Sequence, residues 1–267
     1  MIIAYIERIG KNMLKEQRYE FILESLKKLG TIKVADLTKE LKATEMTIRR
    51  DLKYLEEQNL LIRIHGGARS KQNIRFEELS PNEKRNINTD KKIETAKFAA
   101  SLIKDNDIVY IGPGTTTEYM CDYINTSSIK VITNCLSIFE KLRYNDNIEL
   151  ILIGGRLRNK TNTFVGSFAD QLLKTIRVKL AFIGANGVLE NHIMTSNEEE
   201  GQCQRIIMNN ALKRYLVCDS SKIEKEDFYT LYKLEDLTAL VTDSSLDGSL
   251  KEKYSKYCKI INSMQEE

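Results

Sequence analysis

From Thr89 onward, short β-branched runs alternate with longer helical stretches: Asp107 to Ile111, Lys130 to Thr133, Glu149 to Ile153, Val178 to Ile183, Tyr215 to Cys218 and Leu240 to Thr242. No other feature limits the possible folds as much. Strands that alternate with helices return in the same direction, so an α/β fold with a mostly parallel sheet covered by helices on both faces is predicted. In open parallel sheets, ligands sit beyond the C-terminal ends of strands, and the residues after each run are therefore the first candidates for a site.

The front of the chain keeps a helical period instead. Leu14, Phe21, Ile22, Leu26 and Leu29 form one apolar side of a helix from Met13 to Leu29, which Gly30 stops. Val34, Leu37 and Leu41 face inward on a second helix, Val34 to Leu41, and Thr44 is placed to cap a third. The third helix, Glu45 to Gln58, carries Ile48, Leu52 and Leu55 toward the core. At roughly 100° per residue, Met46, Arg50 and Lys53 point away from that stripe, with Thr47 and Arg49 on its flanks. Leu60 to Ile64 then reads as a strand ending in His65-Gly66-Gly67, which makes the whole a winged helix-turn-helix. Such a basic face suits the major groove, and Arg63, His65 and Arg69 would bring donors to phosphates or the minor groove. The bland alternative is a three-helix packing or interaction module.

Composition narrows the classes. Of 267 residues, 42% are hydrophobic and 30% charged, the profile of a folded protein rather than a disordered one. The length fits one small and one larger domain: residues 13–69, a polar linker at 70–88 containing Pro81, and residues 89–267. No stretch is apolar enough to span a membrane, and Glu7, Arg8 and Lys11 interrupt any signal peptide, so the cytoplasm is the expected location. Five cysteines without a CxxC pair, and only two histidines, predict buried free thiols and no metal or other cofactor. Residues 1–89 hold 18 Lys and Arg against 13 Asp and Glu, while the remainder holds 23 against 25, so the basic excess lies with the helix-turn-helix.

The strand ends of the larger domain are polar. After Ile111 comes Gly112-Pro113-Gly114-Thr115-Thr116-Thr117, a glycine turn with hydroxyls opening a helix, which offers N–H donors and the positive end of a helix dipole to a phosphate. Without GxxxxGK[ST] it is not a nucleotide P-loop. Asn134, Gly155, Arg156, Arg158 and the Asp219-Ser220-Ser221-Lys222 segment follow other strands, with Arg156, Arg158 and Lys222 as countercharge. Each alone is as well explained by an ordinary turn or exposed cation; as a set they favour a site.

The string Thr44-Glu45-Met46-Thr47-Ile48-Arg49-Arg50-Asp51-Leu52-Lys53-Tyr54-Leu55-Glu56, followed by Arg63-Ile64-His65-Gly66-Gly67-Ala68, resembles the signature of the DeoR family of bacterial repressors. The resemblance implies that Thr44, Thr47, Arg49 and Arg50 contact operator DNA, whereas Asp51 orients Arg50 or a backbone group. Residues 90–243 are similar to the sensor domain of that family, whose fold is shared with phosphosugar isomerases and CoA-transferases. Ile111-Gly112-Pro113-Gly114-Thr115-Thr116 departs from the usual L-D-x-G-T-T by lacking the aspartate. With Thr133-Asn134-Cys135-Leu136 and Met194-Thr195-Ser196, it is instead similar to the lactose phosphotransferase subgroup, which implies a response to tagatose 6-phosphate. The twelve residues before Met13 have no counterpart in the usual family start and are either an upstream-start artefact or a short helix.

The implied protein is a sugar-operon repressor with operator DNA and a phosphosugar as partners, acting as a homo-oligomer and without a membrane. The rival is a phosphosugar isomerase-like enzyme. An isomerase needs a carboxylate base, and the segment corresponding to an isomerase's acidic one reads Gly184-Ala185-Asn186-Gly187. Glu198, Glu199 and Glu200 are a possible replacement for the absent carboxylates, yet they begin a helix, where acids favour the dipole.

Overall fold

The computed structural model describes residues 14–64, 66–70 and 78–263. The chain divides into two compact units, Met1–Arg75 and Phe76–Glu267.

In the first unit, α1 (Lys15–Leu29) ends at Gly30, whose φ of 80° needs no side-chain accommodation and whose N–H donates to the Leu26 carbonyl. Then follow β1 (Thr31–Lys33), α2 (Val34–Leu41), α3 (Glu45–Glu57), β2 (Leu61–Ile64) and β3 (Gly67–Ser70). The strands form an antiparallel sheet in the order β1-β3-β2. A Cβ at Gly67 would overlap the Ile32 carbonyl oxygen, so the close β1–β3 approach depends on that glycine. Ile22, Leu26, Val34, Leu37, Ile48, Leu52, Leu55, Leu61 and Ala68 form one core. Strand β1 goes beyond what apolar periodicity announces, being only three residues long. Asp51 also departs from expectation. It neither orients Arg50 nor binds backbone; it is buried beside the core stripe of α3, where Arg18 of α1 holds it.

In the second unit, α4 (Pro81–Arg85) lies inside the stretch expected to be linker. It has no apolar stripe because it is only five residues long, and a capping box builds it: Ser80 N–H donates to Glu83 Oε2 at 2.8 Å, and Glu83 N–H returns to Ser80 Oγ. There follow α5 (Thr89–Ala100), β4 (Ile108–Ile111), α6 (Thr115–Met120), β5 (Ile129–Thr133), α7 (Leu136–Leu142), β6 (Ile148–Leu152), β7 (Arg156–Arg158) and β8 (Thr163–Val165). The chain continues through α8 (Ser167–Thr175), β9 (Val178–Ile183), β10 (Gly187–Leu189), β11 (His192–Thr195), α9 (Glu198–Asn209), β12 (Ala211–Val217), β13 (Tyr229–Lys233), β14 (Ala239–Val241), α10 (Gly248–Tyr254) and β15 (Lys259–Ile261).

Seven strands make a wholly parallel sheet, β15-β14-β12-β9-β4-β5-β6. Alternate residues serve opposite faces: Leu180 and Phe182 pack with α5, α6 and α7, while Ala181 and Ile183 pack with α8, α9 and α10. The antiparallel pairs stand apart from this sheet, as the β7–β8 hairpin and the β10-β11-β13 sheet. All five cysteines are free and buried. Among the described residues, no helix is long and apolar enough to cross a membrane.

Candidate functional site

Two surfaces carry the candidate residues, one in each unit. On α3, Thr44 caps the helix, its hydroxyl accepting from Thr47 N–H at 3.3 Å, and the two hydroxyls lie 2.9 Å apart. The buried Ile48, Leu52 and Leu55 fix the helix azimuth, which leaves Met46, Arg49, Arg50 and Lys53 exposed; Met46 keeps 73% of its surface open. Arg49 bonds Glu45 one turn earlier, with Nε to Oε1 at 2.9 Å, and Lys53 lies 3.9 Å from Glu57, both exposed pairs that a stronger anion can displace at little cost.

Arg63 is exposed on β2, its backbone N–H held by Glu56 at 2.9 Å, and Arg69 is half-buried on β3, opposite Thr31 and Ile62. His65 lies outside the described residues. The structure thus brings Thr44, Met46, Thr47, Arg49, Arg50 and Lys53 onto one helix, with Arg63 and Arg69 on the neighbouring strands.

The second surface is a cavity beyond the C-terminal ends of the central strands. Gly114, Thr115 and Thr116 follow β4, Ser137 follows β5, Gly184 to Asn186 follow β9, and Lys222 follows β12. Glu78 and Lys84 close it from the α4 segment, while Thr161, Thr195, Glu200 and Gln204 complete the wall.

Lys84 Nζ donates to Asn186 Oδ1 at 2.9 Å. Burial, and then the positive charge of Lys222, push the Lys84 pKa below its ordinary value. An anion bound between Lys84 and Lys222, which both line the cavity, would offset that repulsion. Opposite stands a carboxylate cluster. Arg158 Nη1 donates to Glu78 Oε1 at 3.2 Å and to Glu200 Oε1 at 3.1 Å, and Thr161 Oγ1 also donates to Glu200. Burial raises the Glu200 pKa despite Thr161 and Arg158. Burial acts the same way on Glu78, but hydrogen bonds from Arg158 and Ser196 outweigh it and hold that carboxyl below its usual range.

Of the nine residues expected at the ligand, Gly114, Thr115, Thr116 and Lys222 line the cavity. The other five lie outside its lining, four of them in the frame around it. Thr117 Oγ1 donates to the Gly112 carbonyl at 2.7 Å and lies 2.9 Å from that of Gly114, tying the loop to itself. Gly112 packs under Tyr110, and a Cβ on Gly155 would come within 2.8 Å of the Val165 carbonyl. Asn134 is buried, accepting from Tyr110 OH at 2.7 Å and donating to the Phe164 carbonyl at 2.8 Å, so its amide is spent on joining the β8 strand to the sheet. Arg156 is exposed and pairs with Glu199. The sequence reading missed Glu78, Lys84 and Gln204. It also took Glu200 for a helix-dipole acid, whereas the side chain is buried in the cavity wall.

A family model described as "DeoR-like helix-turn-helix domain" matches residues 18–73, and one described as "DeoR C terminal sensor domain" matches residues 87–244. The chain is 41% identical over 252 residues to a lactose phosphotransferase system repressor of Streptococcus mutans, covering 94% of this chain and 100% of that protein. A repressor of the same name from Staphylococcus epidermidis is 38% identical over 252 residues, with the same coverage. Among solved structures, ribose 5-phosphate isomerase A from Methanocaldococcus jannaschii aligns with 51% of this chain and 55% of its own at 20% identity and a TM-score of 0.38. The eIF2B delta of Chaetomium thermophilum aligns with 87% of this chain and 73% of its own at 14% identity and a TM-score of 0.45. Matched in both of its units, and related along the full length of these repressors, the chain belongs to the DeoR family.

Proposed function

We propose that the protein is a transcriptional repressor of a lactose phosphotransferase-type operon and that a phosphorylated sugar, tagatose 6-phosphate as the leading candidate, controls its grip on the operator. The observation that carries this is the 41% identity spanning the whole of a lactose phosphotransferase system repressor. The exposed side of α3 supports this reading: Arg50 would bridge a guanine edge, the Thr47 methyl would touch thymine, and Arg63 and Arg69 would meet phosphates.

In the sensor unit, Lys84 and Lys222 would neutralise the phosphate while the loop Gly114–Thr116 supplies N–H and hydroxyl donors. Domain limits near 13–69 and 89–267 belong to the same reading, with the sensor wall extended forward to Glu78. A homo-oligomer places two recognition helices on two half-sites, and the sugar favours a state that cannot span them. Such coupling reaches only as far as the ligand's affinities for the two states differ.

Gel-shift titration of the DNA upstream of the chain's own gene cluster, with tagatose 6-phosphate and other phosphosugars, tests this. Release by one sugar alone is the expected result; no specific shift under any condition sinks the proposal.

One observation favours a second reading, a phosphosugar isomerase: Glu200 is a buried carboxyl at the cavity, its pKa raised by that burial. Arg158 and Thr161 hold it in a fixed network, and this supports a binding role over that of a mobile base. Aldose–ketose interconversion by the wild-type chain, lost in Glu200→Gln, would reverse that preference.

A further inference from the structure

We propose that Gln204 reads a hydroxyl of the bound sugar and so decides which phosphosugar the protein answers to. This rests on the phosphosugar reading above and adds the group that selects among such ligands.

Gln204 lies one turn after Glu200 on α9, so the two side chains project from the same side of the helix, and both line the cavity. Gln204 is only 3% exposed, yet among the described residues its Oε1 has no hydrogen-bond partner. Buried amide oxygens in folded proteins nearly always have a donor, because an unmet one has lost its hydration for nothing in return.

Donors on the cavity wall and beside Gln204 in sequence are engaged elsewhere. Thr161 and Arg158 both donate to Glu200, Arg158 is also held by Glu78, and Cys203 Sγ donates to Asp170 at 3.2 Å. Gln204 lines the cavity, so a group bound there can supply the missing donor.

The chemistry of that donor is restricted. An apolar group would leave the amide unmet, and an ionised phosphate oxygen has no proton to give to Oε1. A hydroxyl satisfies it, and does so even with the amide turned over, since it can accept as well as donate. With Lys84 and Lys222 also lining the cavity, the ligand is one with an anionic head and a hydroxylated carbon chain.

Stereochemistry follows directly. A hydroxyl that reaches Gln204 replaces any water there bond for bond, whereas its epimer excludes the water and leaves the amide bare. A site built around such a bond rejects the wrong partner more strongly than an apolar pocket can.

Calorimetric titration of the full chain with D-tagatose 6-phosphate, its C4 epimer D-fructose 6-phosphate, and inorganic phosphate tests this. Wild type should separate the two epimers by at least about tenfold, and Gln204→Leu should bring them within about threefold while leaving the Kd for inorganic phosphate within about twofold. If Gln204→Leu does not fold, Gln204→Asn makes the same comparison with the amide withdrawn by one methylene.

Unchanged epimer selectivity in the variant would overturn the inference. So would an equal loss for all three ligands, the mark of a structural role, or a wild type that binds both epimers alike. Binding of neither sugar phosphate by the wild type would be a different failure, removing the phosphosugar reading itself.

Discussion

Arg18 grips Asp51 with two hydrogen bonds, Nε to Oδ2 at 2.8 Å and Nη2 to Oδ1 at 3.2 Å, and thereby bolts α1 to α3. Asp51 is buried, whereas its neighbour Arg50 is exposed. With Ile48, Leu52 and Leu55, the pair holds the azimuth of the helix that presents the proposed reading face.

Removing one member strands the other. Asp51→Ala should destabilise the first unit by roughly 3 kcal/mol, because a guanidinium loses its buried partner. The double change Arg18→Met with Asp51→Leu should recover most of that loss. Hydrogen exchange of the α3 amides measures it, and wild-type protection in Asp51→Ala would contradict the role given to the pair.

Arg50 and Lys53 should differ in kind. Arg50→Ala should cost about 1–3 kcal/mol of operator affinity and relax base preference at one position. Lys53→Ala should weaken binding to all sequences alike and flatten the dependence of log K on log salt by about one unit. Operator selectivity retained by Arg50→Ala would remove it as a base reader.

Lys92 makes stability rise with pH. Burial, and less so the nearby Lys222, Lys84 and Arg85, bring its pKa down to about 8 from 10.5, against the pull of Asp219. Between those two values the unfolded chain binds more protons than the folded one, so raising the pH across this window favours folding. Below pH 8 both states are protonated, and the full cost of burying the ammonium is present. Melting of wild type from pH 7 to 10 should show an upward trend that Lys92→Met lacks; parallel curves would refute the assignment.

The first unit was legible because its signals are local. Val34–Leu41 was read with its observed limits, since apolar spacing and flanking turns mark both ends, and the Thr44 cap is a single-residue signal. The cavity was legible only where the chain itself turns, at Gly114–Thr116 and Lys222. Lys84 and Gln204 reach it by tertiary approach, which leaves no periodic trace.

Direction was the other hidden quantity. Arg156 and Arg158 are both on β7, two residues apart, yet one pairs with Glu199 in solvent and the other enters the Glu78–Glu200 cluster. Three consecutive glutamates likewise point three ways around α9, and only Glu200 lines the cavity. The strand-end amide of Asn134 looked available for a ligand, but Tyr110 and Phe164 already occupy it.

Helix α4 supplies Lys84 to the cavity although it precedes the βα alternation of the sensor. A chimera that grafts this sensor onto another DNA-binding module should therefore be spliced ahead of Glu78. A junction at residue 89 would discard a positive charge and one wall of the chamber, leaving a domain that still carries its whole parallel sheet but has lost part of the proposed ligand seat.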